Sequence, residues 1–238
     1  MSTEIRLGVI VPSVNIVVER WYPSVLPDGV GVHFARMLLA DKGGPEKIVE
    51  MDKTDGIRAI HQLKSARPHA IAYGCTASSV VQGHEYDAHL RREITRIAGV
   101  PATTATFSLL SACRALGLQR VTAVSPYTEA IDTLEHKFFA ESGIVIAAGD
   151  HLDIDEGFRL AEPGLDEIVD LALGAWDPAS DGLMIACLNF RSHLAIEAIE
   201  QRIGKPVISS TQAVLWHVMR LAGVEAKIPG YGRLLREH

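Results

Sequence analysis

The 238-residue chain alternates short apolar runs with longer amphipathic segments. Ile5–Val11 (I-R-L-G-V-I-V) is rich in β-branched residues and stops at Pro12-Ser13, as a strand does. Ala70–Gly74 repeats that behaviour, and further strands are expected at Val121–Val124, Ile144–Ala147, Leu183–Ala186 and Val207–Ile208. Helical periodicity predicts helices over Thr54–Ser65, where Ile57, Ile60 and Leu63 share a face, and over Asp87–Ala98, Phe107–Leu116 and Thr128–Glu141. It predicts three more over Leu165–Ala175, Leu194–Ile203 and Gln212–Ala222. Uniformly apolar strands, each followed by an amphipathic helix, argue for an α/β fold with parallel sheets covered on both faces.

The pattern also repeats on a coarser scale. G-V-P-A-T-T-A-T-F-S-L-L-S-A-C-R-A-L-G-L closes one half and G-K-P-V-I-S-S-T-Q-A-V-L-W-H-V-M-R-L-A-G-V closes the other. Each runs from Gly and Pro through a short strand and a hydroxyl-rich turn into a helix ended by Gly. Two similar Rossmann-like (flavodoxin-like) lobes related by a pseudo-two-fold axis are the simplest reading, with the active site in the cleft between them. The first lobe is expected to span 1–115 and 208–238, and the second 116–207.

Composition narrows the class. Apolar residues make up 47% and charged residues 22%, ordinary values for a globular enzyme. A net charge of −6 gives no footprint for nucleic acid or an anionic membrane. No apolar run reaches the roughly 18 residues that span a bilayer. The opening M-S-T-E-I-R does not resemble a secretory signal, so a cytoplasmic location with free thiols is expected.

The chemistry lies in two cysteines about half a chain apart. Cys75 follows the strand A-I-A-Y-G, and Cys187 follows L-M-I-A. In open parallel sheets, ligands bind at the carboxyl ends of strands, so both thiols belong at the functional edge. A helix start after each would leave unpaired N–H groups that favour a thiolate or hold a carboxylate. Gly74 permits close approach, while Thr76, Ser78, Ser79 and Asn189 supply polar partners. Cys113 sits on an apolar helical face with Leu109, Leu110 and Leu116 and reads as a core residue. Neither H-E-Y-D-A-H at His84–His89 nor the acidic run Asp150–Glu156 has metal-ligand spacing, and no metal is expected. G-Y-G-R-L-L lacks the spacing of a dinucleotide site.

Over nearly its whole length the chain resembles the aspartate/glutamate racemase superfamily, in the branch of maleate cis-trans isomerases and arylmalonate decarboxylases. The motifs are V-I-V-P-S-V-N-I-V-V-E, Y-G-C-T, S-P-Y, A-C-L-N-F-R-S and P-G-Y-G-R-L-L. The resemblance implies catalysis without a cofactor, by Cys75 and Cys187, on a small carboxylate. It implies that Asn15 and Tyr127 bind the substrate, with Thr76, Ala77, Leu188 and Asn189 following the two cysteines, and that the chain assembles as a homo-oligomer. Racemases of this group move a proton between two thiols, while maleate isomerases add the first cysteine to a double bond. Arylmalonate decarboxylases keep only the second cysteine and have glycine at the first. Cys75 at that first position argues for a two-thiol isomerase or racemase over a decarboxylase with Cys187 as proton donor; a non-catalytic two-lobed small-molecule binding protein is the alternative from a different class. C-L-N-F-R departs from the C-V-Q of maleate isomerases toward the C-T-N-L-R of the ectoine-utilisation branch. Asp155 or Glu156 stands where maleate isomerases present asparagine, an acidic neighbour that would repel a dicarboxylate. Arg191 reads equally well as a surface charge or a substrate contact.

Overall fold

The computed structural model describes residues 4–40 and 44–238; the first three residues of the opening M-S-T-E-I-R lie outside that range. In chain order the first half contains β1 (Ile5–Pro12), α1 (Val18–Val25), β2 (Val30–Met37), α2 (Glu46–Met51), α3 (Ile57–Ser65), β3 (Ala70–Tyr73), α4 (Thr76–Ala98), β4 (Ala102–Thr104) and α5 (Ala105–Leu116). The second half contains β5 (Arg120–Ser125), α6 (Glu129–Glu141), β6 (Val145–His151), α7 (Leu165–Ala175), β7 (Gly182–Ile185), α8 (Ile196–Ile203), β8 (Val207–Ser209), α9 (Ser210–Leu221) and α10 (Gly232–Glu237). A π-helical turn, Asp52–Gly56, joins α2 to α3.

The strands form two parallel four-stranded sheets with matching orders, β2-β1-β3-β4 and β6-β5-β7-β8. In each sheet the chain reverses direction of travel between its first and third strands, which is where such sheets open a crevice beyond their carboxyl ends. The third strands, β3 and β7, are buried along their full length, so both read as unbroken apolar runs. No helix among the described residues is long and apolar enough to cross a membrane.

The two echoing segments become β4–α5 and β8–α9. Thr104 and Ser209 cap the two helices by accepting the amides of Phe107 and Gln212, and Ser209 completes a capping box with Gln212. Helices α5 and α9 pack on one another, and α9 also packs on β3 and β4 of the first sheet. Strand β8, from which α9 departs, pairs along its length with β7 of the second sheet. The boundary expected at residues 207/208 therefore falls inside a strand of the second sheet, while the helix beyond it packs on the first.

Hydrogen bonds tie the halves together near the crevice. The Tyr22 hydroxyl donates to the Thr211 carbonyl at 2.8 Å, and the Thr76 hydroxyl donates to Ser210 Oγ at 3.0 Å. Gly74 sits between β1 and the chain after Cys187. A Cβ built there would lie 2.8 Å from the Ile10 carbonyl oxygen and 2.9 Å from a Leu188 methyl. Only glycine fits without moving β1 or the chain after Cys187.

Candidate active site

Four strand ends converge on one cavity of about 60 Å³. Asn15 follows β1, Cys75 follows β3, Tyr127 follows β5 and Cys187 follows β7, so each sheet contributes the residues past its first and third strands. The eight residues that the resemblance assigns to the site line this space: Asn15, Cys75, Thr76, Ala77, Tyr127, Cys187, Leu188 and Asn189. Ser78 and Ser79, also expected as polar partners, are instead turned to the buried carboxylates of Asp52 and Asp87. Pro12, Val14, Leu39, Ile48, Ile131, Ile154 and Leu160 supply much of the rest of a largely apolar wall. Cys113 lies in the core on α5, and Arg191 binds the Glu162 carbonyl at 2.7 Å outside the cavity.

Cys75 is the N-cap residue of α4, in extended conformation, and the main-chain amides of Ala77 and Ser78 favour its thiolate. The sequence places a helix start after Cys75 but predicts helical periodicity only from Asp87, because the first turn, T-A-S-S, is short-chained and hydroxylated. The structure begins the helix at Thr76 and interrupts it only at Gly83, whose φ is 83°. Those amides were expected to draw the thiol toward neutrality. Burial wins: it pushes Cys75 up to about 12, helped by the negative charge of Asp52.

Cys187 is held differently. Its φ of 77° places a non-glycine residue in the left-handed region, a strained conformation that marks functional turns. The Tyr127 hydroxyl and the Asn189 amide favour its thiolate, but burial again dominates and raises it to about 12. Cys75 and Glu135 add to the rise, so the two thiols feel one another's charge. Glu135 is fully buried, with no hydrogen-bond partner on either carboxyl oxygen, and burial pushes it well above its ordinary range.

The polar residues around the thiols divide their labour. Asn15 Oδ1 accepts the amides of Val17 and Val18 at the start of α1, which leaves its Nδ2 hydrogens as the group on offer. The Asn189 side chain is engaged in joining the halves. Its Nδ2 donates to the carbonyls of Val14 and Gly157, and its Oδ1 accepts the Ile16 amide at 3.0 Å. What Asn189 offers a ligand is its main-chain amide. Thr76 likewise spends its hydroxyl proton on Ser210 and presents its backbone N–H.

Lys47 is the residue the sequence did not single out. It is the one basic side chain in the cavity wall among the described residues, and only 7% of that side chain is exposed. Its ammonium donates to the Asp155 main-chain carbonyl at 3.0 Å and lies 3.8 Å from the Asp155 carboxylate. Asp155 therefore does stand at the cavity, but 62% of its side chain is exposed and its charge is partnered. Lys47 lies in no cysteine motif; only the α2 crossover brings it here.

Two outcomes follow from the thiol environments. Iodoacetamide labelling of Cys187, followed by mass spectrometry, should rise about tenfold per pH unit from about pH 7 to about pH 10 with no plateau, because only the thiolate reacts. Cys187→Gly should be more stable than Cys187→Ala by about 1 kcal/mol in denaturant unfolding, because glycine relieves the left-handed backbone.

The comparisons with known proteins agree with this geometry. Residues 7–235 match the arylmalonate decarboxylase family model. The arylmalonate decarboxylase of Bordetella bronchiseptica is 34% identical over 165 residues, covering 68% of this chain and 69% of that protein. A cysteine-to-alanine variant of the maleate isomerase from Pseudomonas putida S16, solved with maleate, superposes with a TM-score of 0.92 at 26% identity, covering 97% of each chain. An arylmalonate decarboxylase carrying a glycine-to-cysteine and a cysteine-to-serine change, solved in a liganded form, gives 0.91 at 28% identity, covering 98% of this chain and all of that one. The lobes, the strand order and the matched residues lead to one conclusion: the chain belongs to the arylmalonate decarboxylase family.

Proposed function

We propose that the chain is a cofactor-independent isomerase of small carboxylic acids in which Cys75 and Cys187 act together. The observation that carries this reading is that the two thiols, one from each sheet, line the same small cavity. In cis-trans isomerisation the Cys75 sulfur adds to the double bond of an unsaturated acid. The new single bond allows rotation, and expulsion of the thiolate restores the alkene. In racemisation one thiolate takes the α-proton and the other thiol returns a proton to the opposite face. Both routes pass through a carbanion conjugated with a carboxylate, so both need donors placed where that charge grows. One such donor is commonly worth about 3 kcal/mol. The Asn15 amide, the Tyr127 hydroxyl and the backbone amides of Thr76, Ala77, Leu188 and Asn189 fill that role.

Decarboxylation of a substituted malonate fits less well. It turns a carboxylate into neutral carbon dioxide, and a cation beside that group stabilises what must be lost. Lys47 is such a cation, and we assign it to a second anionic group of the substrate. Cys75 also stands where, by the resemblance, the decarboxylases carry glycine.

The test is incubation in deuterated water with a panel containing maleate, fumarate, single enantiomers of α-substituted acids and phenylmalonate. Isomerisation or α-deuteration without gas release is expected, lost by at least a hundredfold in both Cys75→Ser and Cys187→Ser. Lys47→Met should raise KM for a dianionic substrate about tenfold or more while changing kcat less. Carbon dioxide release that survives Cys75→Gly would overturn the isomerase reading.

A further inference from the structure

One buried anion behind Cys75 takes no part in lining the cavity. Asp52 opens the π-helical turn between α2 and α3, a distortion that recurs at functional sites, and is 7% exposed. Its Oδ1 accepts the hydroxyls of Tyr73 at 2.6 Å and Ser78 at 2.9 Å, and its Oδ2 accepts the Gln82 amide at 2.6 Å. Three donors on two oxygens describe a carboxylate, yet no ion pair to it occurs among the described residues. Asp87, the comparable buried carboxylate on α4, has Arg91 at 3.1 Å. An uncompensated buried charge is costly and points to a use.

Ser78 is the link. It is the third residue of α4 and Cys75 is that helix's N-cap, the spacing at which the side chains of a helix start meet, and the Ser78 hydroxyl is hydrogen-bonded to Asp52 at 2.9 Å. We propose that Asp52 is the proton acceptor for Cys75, reached through the Ser78 hydroxyl; this rests on the reading of Cys75 as a reactive thiol. The Cys75 S–H bond breaks and its proton passes to Ser78 Oγ, as the Ser78 hydroxyl proton passes to Asp52 Oδ1. Sulfur then carries the negative charge, Asp52 is a neutral acid, and the net charge of the buried site is unchanged. As a fixed charge, Asp52 would oppose ionisation of Cys75; as an acceptor, it supplies the thiolate without base from solvent. Cys187 has no equivalent, because its buried neighbour Glu135 is unpartnered and favours its protonated form. Cys75 is thereby the nucleophile or base, and Cys187 the acid, in the resting enzyme.

The other titratable groups facing Asp52 are Tyr73 of β3 and Tyr86 of α4, both raised above the ordinary tyrosine range by burial and so uncharged through neutral pH. Where internal transfer supplies most of the thiolate, as proposed, the thiolate fraction is independent of pH once Asp52 is ionised. Iodoacetamide labelling of Cys75 in the intact protein should therefore be flat from about pH 7 to about pH 9, while Cys187 in the same sample climbs about tenfold per unit. Asp52→Asn, and separately Ser78→Ala, should give Cys75 that same climb and leave the Cys187 profile unmoved. Cys113, buried in α5, reports any loss of fold. The proposal is overturned if wild-type Cys75 climbs as Cys187 does, if Cys75 stays unlabelled while Cys187 reacts, or if the flat profile survives in both variants. Labelling needs no substrate, so an inactive substrate panel would sink the isomerase reading and leave this result standing.

Discussion

Desolvation of two thiols governs this site. In water a cysteine ionises with a pKa near 8.5; in this cavity both are pushed up to about 12. The same exclusion of water makes each donor in the wall worth more against a developing carbanion. Reactivity and reluctance to ionise thus share one cause, and any chemistry here must solve the second without giving up the first. Helix N-terminal amides at Cys75 and the Tyr127 hydroxyl at Cys187 narrow the gap and do not close it.

The fold makes that dry space by bringing two copies of one sheet order together at their carboxyl ends. The closeness is built into particular atoms. Gly74 leaves no room for a side chain between Ile10 and Leu188, and the Asn189 side chain joins the turn after β1 to the loop carrying Gly157. A residue read from the sequence as a substrate contact is in the structure first a clamp, positioning the main-chain amide that a ligand would meet. The left-handed turn at Cys187 serves the same end, since a locally strained backbone persists where surrounding contacts over-determine it.

Much of this was legible in the sequence, and what was not has physical reasons. Strands β3 and β7 announce themselves because both faces are buried. The edge strand β2 does not, since its apolar positions are broken by Gly31, His33 and Arg36, and α1 is obscured by Pro23. The length of α4 is obscured by T-A-S-S, residues whose short polar side chains compete for backbone hydrogen bonds in isolation and give no apolar periodicity. The cavity residues next to the cysteines were visible because the strands that end there were. Lys47 and Asp52 were not: they sit on the crossover between β2 and β3, in no motif, and only the packing of that crossover against β2 and α4 carries them to the site. The thiol environment was misjudged for a related reason. An N-terminal turn is visible in sequence, but the depth of burial that outweighs it is a property of the closed pair of lobes.

The halves match in topology and differ in charge, and on the proposed reading that difference separates the roles of the two thiols. Past its third strand, the first sheet sets a thiol beside a carboxylate that accepts three donors; the second sets one beside a carboxyl group with none. Two thiols that are both protonated cannot do this chemistry, because a proton cannot enter from one face and leave from the other if both sulfurs are acids. An anion balanced by hydrogen bonds, with no ion pair to it among the described residues, can become neutral when its neighbour ionises, as the proposed transfer requires. A shared architecture can therefore host isomerisation or decarboxylation, with the choice resting on one side chain after β3 and on the charges the crossover delivers behind and beside it.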